Sequence, residues 1–491
     1  MNINQKKLIR GGLIIILFSL VTFSWIFERV PVGSGAGWDG QLYREIAANF
    51  DNVVEEGGLS SYYVSKSLPF VAIYGTSQLF NIHRVSRILF VFIYISLAIG
   101  ILGFYKIVKY NQLSFSSEII AFALCFYIYP ILKLIGYYPW LGDHFAYPLG
   151  LWIYYFFISK QRNRMLLLSI IGAFIWQSIL PIAVLLYILP LRSFSITNGK
   201  NVSNAQHRCH LLIKILLCLF LCSLPLVRMF FAIQRVGYSV VDDYLSIGSV
   251  ITMICMGMFA YFIIQPINFN IIDAIKFFWR NIEWKRVIIG VSVYIFVNFV
   301  IYLFANKSIE PPVSNTDIIK RLVFEPFSGR PLKFLECHLI YYGLLIPLLI
   351  VLYRDILVYV ERHSIAYLGI FFFSILMGTQ CESRFILNLV PFMLFPIVTY
   401  LSKFELKKWV AICVVFAQLF FSRIWFRINV AGLEEALNND ISLYKTSKLA
   451  QRYFIAHGPW QGNEAYYIYS LVLLALVILL IIGKRKKFFV K

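Results

Sequence analysis

Apolar runs long enough to cross a bilayer recur along almost the whole chain, separated by short basic loops. Each crossing of a hydrocarbon core takes roughly 20 residues of helix. With 60% of its 491 residues hydrophobic, 18% aromatic and only 14% charged, the chain has too little polar surface to cover a soluble core of that size. The ten-residue alternation of a membrane barrel is absent as well. What remains is an all-α integral membrane protein. No stretch is both polar and long enough to fold separately in water, so residues 1–491 read as a single polytopic membrane domain.

The net charge of +21 would suit a nucleic-acid binder if it were gathered on one surface. It is instead scattered through short loops between apolar runs, which is the positive-inside pattern. That pattern predicts about 12–14 membrane helices with both termini cytoplasmic, in a plasma or inner membrane, and no nucleic-acid partner. The first apolar run, 11–27, follows Lys6, Lys7 and Arg10 and lacks a small-residue cleavage site, so it reads as a retained anchor. The first outward loop is then 28–87, with further outward loops at 306–337 and 427–464.

Within the first loop, Leu42, Ile46 and Phe50 recur at four-residue spacing, predicting an amphipathic helix lying on the bilayer surface. Residues 68–82 are apolar but too short to span, and predict a second interfacial helix. The stretch 165–191 is long for one helix and short for two. Because both its ends carry inward-type basic residues, it reads as a pair of short helices meeting outside near Gln177. The eight cysteines lie within or at the ends of apolar segments. Cys337 and Cys381 fall at outward ends, where either a disulfide or two thiols fits the sequence.

This topology sends Asp39, Asp143, His144, Gln177, Arg330, Glu382 and Arg384 to one outer surface. Asp39 stands at the start of the amphipathic helix, where a carboxylate serves either as a cap or as a base aimed into the space the helices enclose. Glu382 and Arg384 form either an interfacial salt bridge or a cation held ready for an anion. His144 alone is weak evidence for a metal.

The segment Gly37-Trp38-Asp39-Gly40-Gln41-Leu42-Tyr43, closely after the first membrane helix, resembles the first-loop aspartate motif of the GT-C superfamily. These multi-pass glycosyltransferases take sugar from a polyprenyl-phosphate carrier. Tyr62–Phe70 is similar to the segment that follows in bacterial members, with Lys66 where an arginine would be expected. The resemblance implies a GT-C-like bundle and an inverting transfer on the outer face of the membrane. Asp39 would be the general base and Asp143 its supporting acid. Trp38, Gln41, Tyr43, His144, Gln177, Arg330, Glu382 and Arg384 would line the substrate. The implied partners are a polyprenyl-phosphate sugar donor, a lipid- or glycan-linked acceptor and membrane lipids. The paired acids that bind a divalent metal in some members are missing, so the cofactor stays open. A transporter or flippase of a lipid-linked saccharide, or a non-catalytic part of a surface-polysaccharide assembly complex, would share the same composition. Transporters commonly show related halves and acids deep within helices. Here no internal repeat is visible, and the acids lie in loops.

Overall fold

The computed structural model describes residues 2–30, 32–37, 39–194, 247–267, 271–309, 330–426 and 463–485, with scattered positions between 431 and 438. Trp38, the predicted span at 211–232 and nearly all of the loop 427–464 lie outside the described residues, as does 310–329 of the loop 306–337. Among the described residues the chain is helical, without a strand beyond one β-bridge between Leu59 and Ala305.

The helices are α1 (Ile3–Phe27), α2 (Gly40–Glu55), α3 (Leu68–Phe80), α4 (Val85–Tyr110), α5 (Phe115–Phe126) and α6 (Asp143–Ile158). They continue with α7 (Arg162–Gly172), α8 (Ile179–Ile188), α9 (Ile247–Ile264), α10 (Ile271–Asn281) and α11 (Trp284–Phe304). The last six are α12 (Lys333–Tyr342), α13 (Leu345–His363), α14 (Ile365–Met377), α15 (Val390–Leu401), α16 (Lys408–Phe421) and α17 (Asn463–Arg485). Five described helical stretches are long and apolar enough to cross a membrane, or seven if two sharply bent pairs each count as one span. Four shorter apolar helices of 10–17 residues accompany them among the described residues. Apolar windows register composition, whereas several of these helices are short or broken. Pro130 restarts the helix after α5 at an angle of 60°, following extended backbone at Ile128. Gly343 turns α12 into α13 through 110° at φ +58, where a Cβ would also strike Gln418.

The paired short helices expected in 165–191 are present as α7 and α8, with residues 173–178 between them. The amphipathic helix is present as α2, but its apolar face is not left to the bilayer. Ile46 is buried, Leu42 and Phe50 pack on the core, and Tyr43 stacks on Phe70 of α3 with ring centroids 4.6 Å apart. The offset stack joins the two helices of the first loop into one unit.

α6 is the central element, packed against α4, α7, α8, α15 and the 3₁₀ turn Ser383–Leu389. Tyr154 stacks on Phe395 of α15 at 5.1 Å. Gly150 lets the backbone of Asn388 approach so closely that any Cβ would overlap it. Through this contact the first turn of α6, which carries Asp143, and the turn carrying Arg384 are held in one rigid body.

Candidate functional site

Four loops that are distant in sequence are stitched together at the N-terminal end of α6. Val30 donates its N–H to the Tyr137 carbonyl at 2.9 Å, and Arg29 donates to the Gly136 carbonyl at 2.6 Å. The Leu68 N–H reaches the carbonyl of Phe174 at 3.0 Å, bringing the α7–α8 turn onto the first loop. Gly37, at φ +80, lies so close to the Tyr138 ring that any side chain there would collide with it. That approach lets the Asp39 N–H donate to the Tyr138 hydroxyl at 3.0 Å.

Asp39 occupies the N-cap of α2, yet its carboxylate makes no capping bond. It turns away from the helix toward Arg384, with Oδ2 3.6 Å from a guanidinium nitrogen. Of the two placements left open by the sequence, the side chain makes no capping bond and lies beside Arg384. Arg384 itself is anchored at its Nε, which donates to Glu382 Oε1 at 2.6 Å. One edge of the guanidinium is thus fixed by a tight charge-assisted bond, while the edge facing Asp39 makes only a longer contact.

The turn bearing these residues is held from behind. His338 Nδ1 pairs with the Ser383 hydroxyl at 2.8 Å, His338 Nε2 with the Gly378 carbonyl at 2.7 Å, and the Tyr342 hydroxyl donates to the Ser383 carbonyl. With both ring nitrogens engaged, His338 clamps the two ends of the turn.

Asp143 stands in the first turn of α6, where the partial positive charge of the helix end favours an acid. It is 1% exposed, and neither carboxylate oxygen has a hydrogen-bond partner on another residue. Burial pushes its pKa up to about 6, against the pull of Arg384 and Lys66, whose charges it feels. Lys66 is 5% exposed, with its ammonium over the rings of Tyr62 at 3.6 Å and Trp176 at 4.9 Å. Burial, together with the neighbouring Arg384 charge, lowers its pKa to about 7 against the pull of Asp143, Asp39 and Glu382.

The candidate residues named from sequence therefore separate. Asp39, Asp143, Glu382 and Arg384 come together. Tyr43 adjoins them but is spent on packing against Phe70 and Tyr63. His144 directs Nε2 to the Tyr138 carbonyl at 3.2 Å, fixing the turn that presents Tyr138. Gln41 lies at the surface against Gly33, and Gln177 is exposed at the α7–α8 turn, where its neighbour Trp176 is the residue that meets Lys66. Arg330 sits elsewhere, over the Tyr466 ring at 5.6 Å and within reach of Cys337 and Cys381. Those two cysteines are buried side by side with Met256 and Phe334, as thiols rather than as a disulfide.

Lys66, Tyr62, Tyr138 and Trp176 went unassigned in the sequence. The visible signal for two of them was a polar or aromatic interruption: Lys66 within Ser65-Lys66-Ser67, and Trp176 beside Gln177-Ser178 inside an apolar stretch. Among the described residues no group of three or more His, Cys, Asp and Glu side chains is placed to hold a metal ion. Three carboxylates, Asp39, Asp143 and Glu382, and two cations, Arg384 and Lys66, lie within electrostatic reach of one another, an arrangement able to accept a proton from a hydroxyl and to grip a phosphate. Comparison with protein-family models, with curated proteins and with solved structures finds no match for this chain.

Proposed function

We propose that this protein is a membrane glycosyltransferase that moves a sugar from a polyprenyl-phosphate carrier to an acceptor hydroxyl at the outer face of the membrane. The observation that carries the reading is the uncapped carboxylate of Asp39, facing the one edge of Arg384 that Glu382 leaves available. In the reaction the acceptor oxygen attacks the anomeric carbon and gives its proton to Asp39. The bond from that carbon to the carrier phosphate breaks, and the phosphate leaves with the electron pair. A positioned carboxylate base is worth roughly 10²–10⁴-fold. The departing phosphate is already acidic, so it needs cations rather than a proton. Arg384 supplies a planar fork held in one orientation, and Lys66 a point charge from the opposite loop. Near neutral pH Lys66 lies close to its midpoint, so an arriving phosphate would complete its protonation.

The same buried Asp143 supports a second reading, a proton-coupled transporter of a lipid-linked saccharide. The two readings separate in one assay. Purified protein in detergent, without any membrane gradient, is offered a panel of polyprenyl-phosphate sugars and acceptor glycans. Transfer of label to the acceptor, lost in Asp39→Asn, supports the enzyme. Label that never changes its chemical linkage, but crosses the wall of a sealed vesicle when a proton gradient is applied, supports the transporter.

A further inference from the structure

The opposite end of the α7–α8 hairpin holds an arrangement that the proposed transfer does not use. α7 begins at Arg162 with Gln161 at its N-cap, and no side chain caps that end. Such an end presents unpaired N–H groups and partial positive charge, and is normally accompanied by acids. Its first turn contains no acid. It carries Arg162 and Arg164 instead, directly after Lys160, and Arg286 from the first turn of α11 joins them around a cleft of about 440 Å³. Gln161 and Asn163 complete the lining.

Arg162 is 3% exposed and donates to the Tyr187 and Leu189 carbonyls at the end of α8, at 3.1 and 2.6 Å. Its buried Nε has no hydrogen-bond partner. Glu283 is committed to Arg286 at 2.6 Å and stands 4.0 Å from Arg162, so it offsets part of the charge only. The positive-inside tendency explains basic residues on this side of the membrane, but not their convergence on the positive end of a helix. An anion bound there would relieve that conflict.

We propose that this cleft binds the phosphate group of an anionic phospholipid from the inner leaflet. Free N–H groups at a helix end and arginine forks are suited to phosphate oxygens. A lipid source follows from what adjoins the cleft. Arg164, Leu167 and Ile171 fall at three- and four-residue spacing on one face of α7, and both apolar residues are exposed, as is Ile288 on α11. A headgroup seated at Arg164 would therefore have apolar surface for its acyl chains. Basic pockets between helices on the cytoplasmic side are suited to anionic headgroups.

The full chain, purified in neutral detergent and stripped of lipid, is titrated with phosphatidylglycerol, phosphatidylcholine or inorganic phosphate, and followed by thermal unfolding and native mass spectrometry. Phosphatidylglycerol is expected to raise the melting temperature and to remain as a one-to-one adduct. The double variant Lys160→Gln/Arg164→Gln, at two exposed side chains, is expected to weaken that adduct roughly tenfold or more. Arg286→Gln gives an independent check from the other wall. Equal retention in wild type and both variants, or equal protection by phosphatidylcholine, would overturn the site. Protection by inorganic phosphate as strong as that by phosphatidylglycerol would overturn the lipid assignment in favour of a soluble anion.

Discussion

Two buried charge clusters lie at the two ends of residues 133–143, and they are built differently. Lys133 donates to Glu28 and to the Phe426 carbonyl, 2.6 Å away, so its ammonium is tied to two partners. Asp143 has no hydrogen bond from any neighbouring side chain, and Asp39 touches Arg384 only at 3.6 Å. The first cluster resembles a clasp, tying the end of α1 to the bend after α5. The second leaves hydrogen-bonding capacity unspent, at a cost a fold tolerates when something else is meant to occupy it. A buried pair is thus not read from charge alone; what separates the two is that Glu28 is bonded directly to its cation, whereas neither Asp143 oxygen is hydrogen-bonded to one.

Breaking the clasp should have the largest effect on the fold. Lys133→Met leaves Glu28 buried without its cation, and is expected to destabilise by about 3–5 kcal/mol. Thermal unfolding in detergent checks this. Any transfer activity left per folded molecule should match wild type, and a selective loss of turnover would place Lys133 in the site instead.

Asp39→Asn should do the reverse. Shape and stability persist because the carboxylate caps nothing, while turnover is expected to fall by roughly 10²-fold or more. Carrier affinity should change little, since the phosphate is held by Arg384. Near-normal transfer by a folded Asp39→Asn protein would remove Asp39 from the chemistry. Arg384→Ala should lower carrier affinity and turnover together. Arg384→Lys should recover part of the loss, because charge returns without the fork that Glu382 orients. Full recovery would mean that the bidentate geometry has no role.

The second cluster was partly legible in the sequence and the clasp was not, since neither Glu28 nor Lys133 drew a role there. Asp39, Glu382 and Arg384 lie in short polar turns between apolar runs, and the expected topology sent those turns to one surface. The α7–α8 pair followed from basic residues at both ends of one apolar stretch. Arg330 could not be separated from Arg384 in this way. Both were expected in outward loops, and what distinguishes them is the partner each finds, Tyr466 for one and Asp39 for the other. Lys66 was hidden because its burial depends on Trp176 arriving from the α7–α8 turn. The apolar face of α2 was legible, but its destination was not, since periodicity gives a face without naming what covers it.

The smallest expected effect is the sharpest test of unspent capacity, because its sign is opposite to that of an ordinary site mutation. Burial raises the Asp143 carboxyl to about 6 in the folded chain, above its ordinary range. At low pH the proton is on in both folded and unfolded states. As pH rises through that interval the unfolded chain loses the proton first, so holding the carboxylate in the folded site costs stability, with the full cost reached above about 6. Asp143→Asn removes that cost. The variant should match wild type below about pH 3, gain on it as pH rises from there through about 6, and level off roughly 1–3 kcal/mol more stable above about pH 7. Unfolding curves across pH give the measurement, and transfer assays over the same range give its counterpart. Wild-type turnover should decline as pH falls through about 6, and the residual turnover of the variant should lack that step. A variant less stable than wild type at pH 8 would mean that Arg384 and Lys66 depend on the Asp143 charge as Lys133 depends on Glu28. The two clusters would then be the same kind of object.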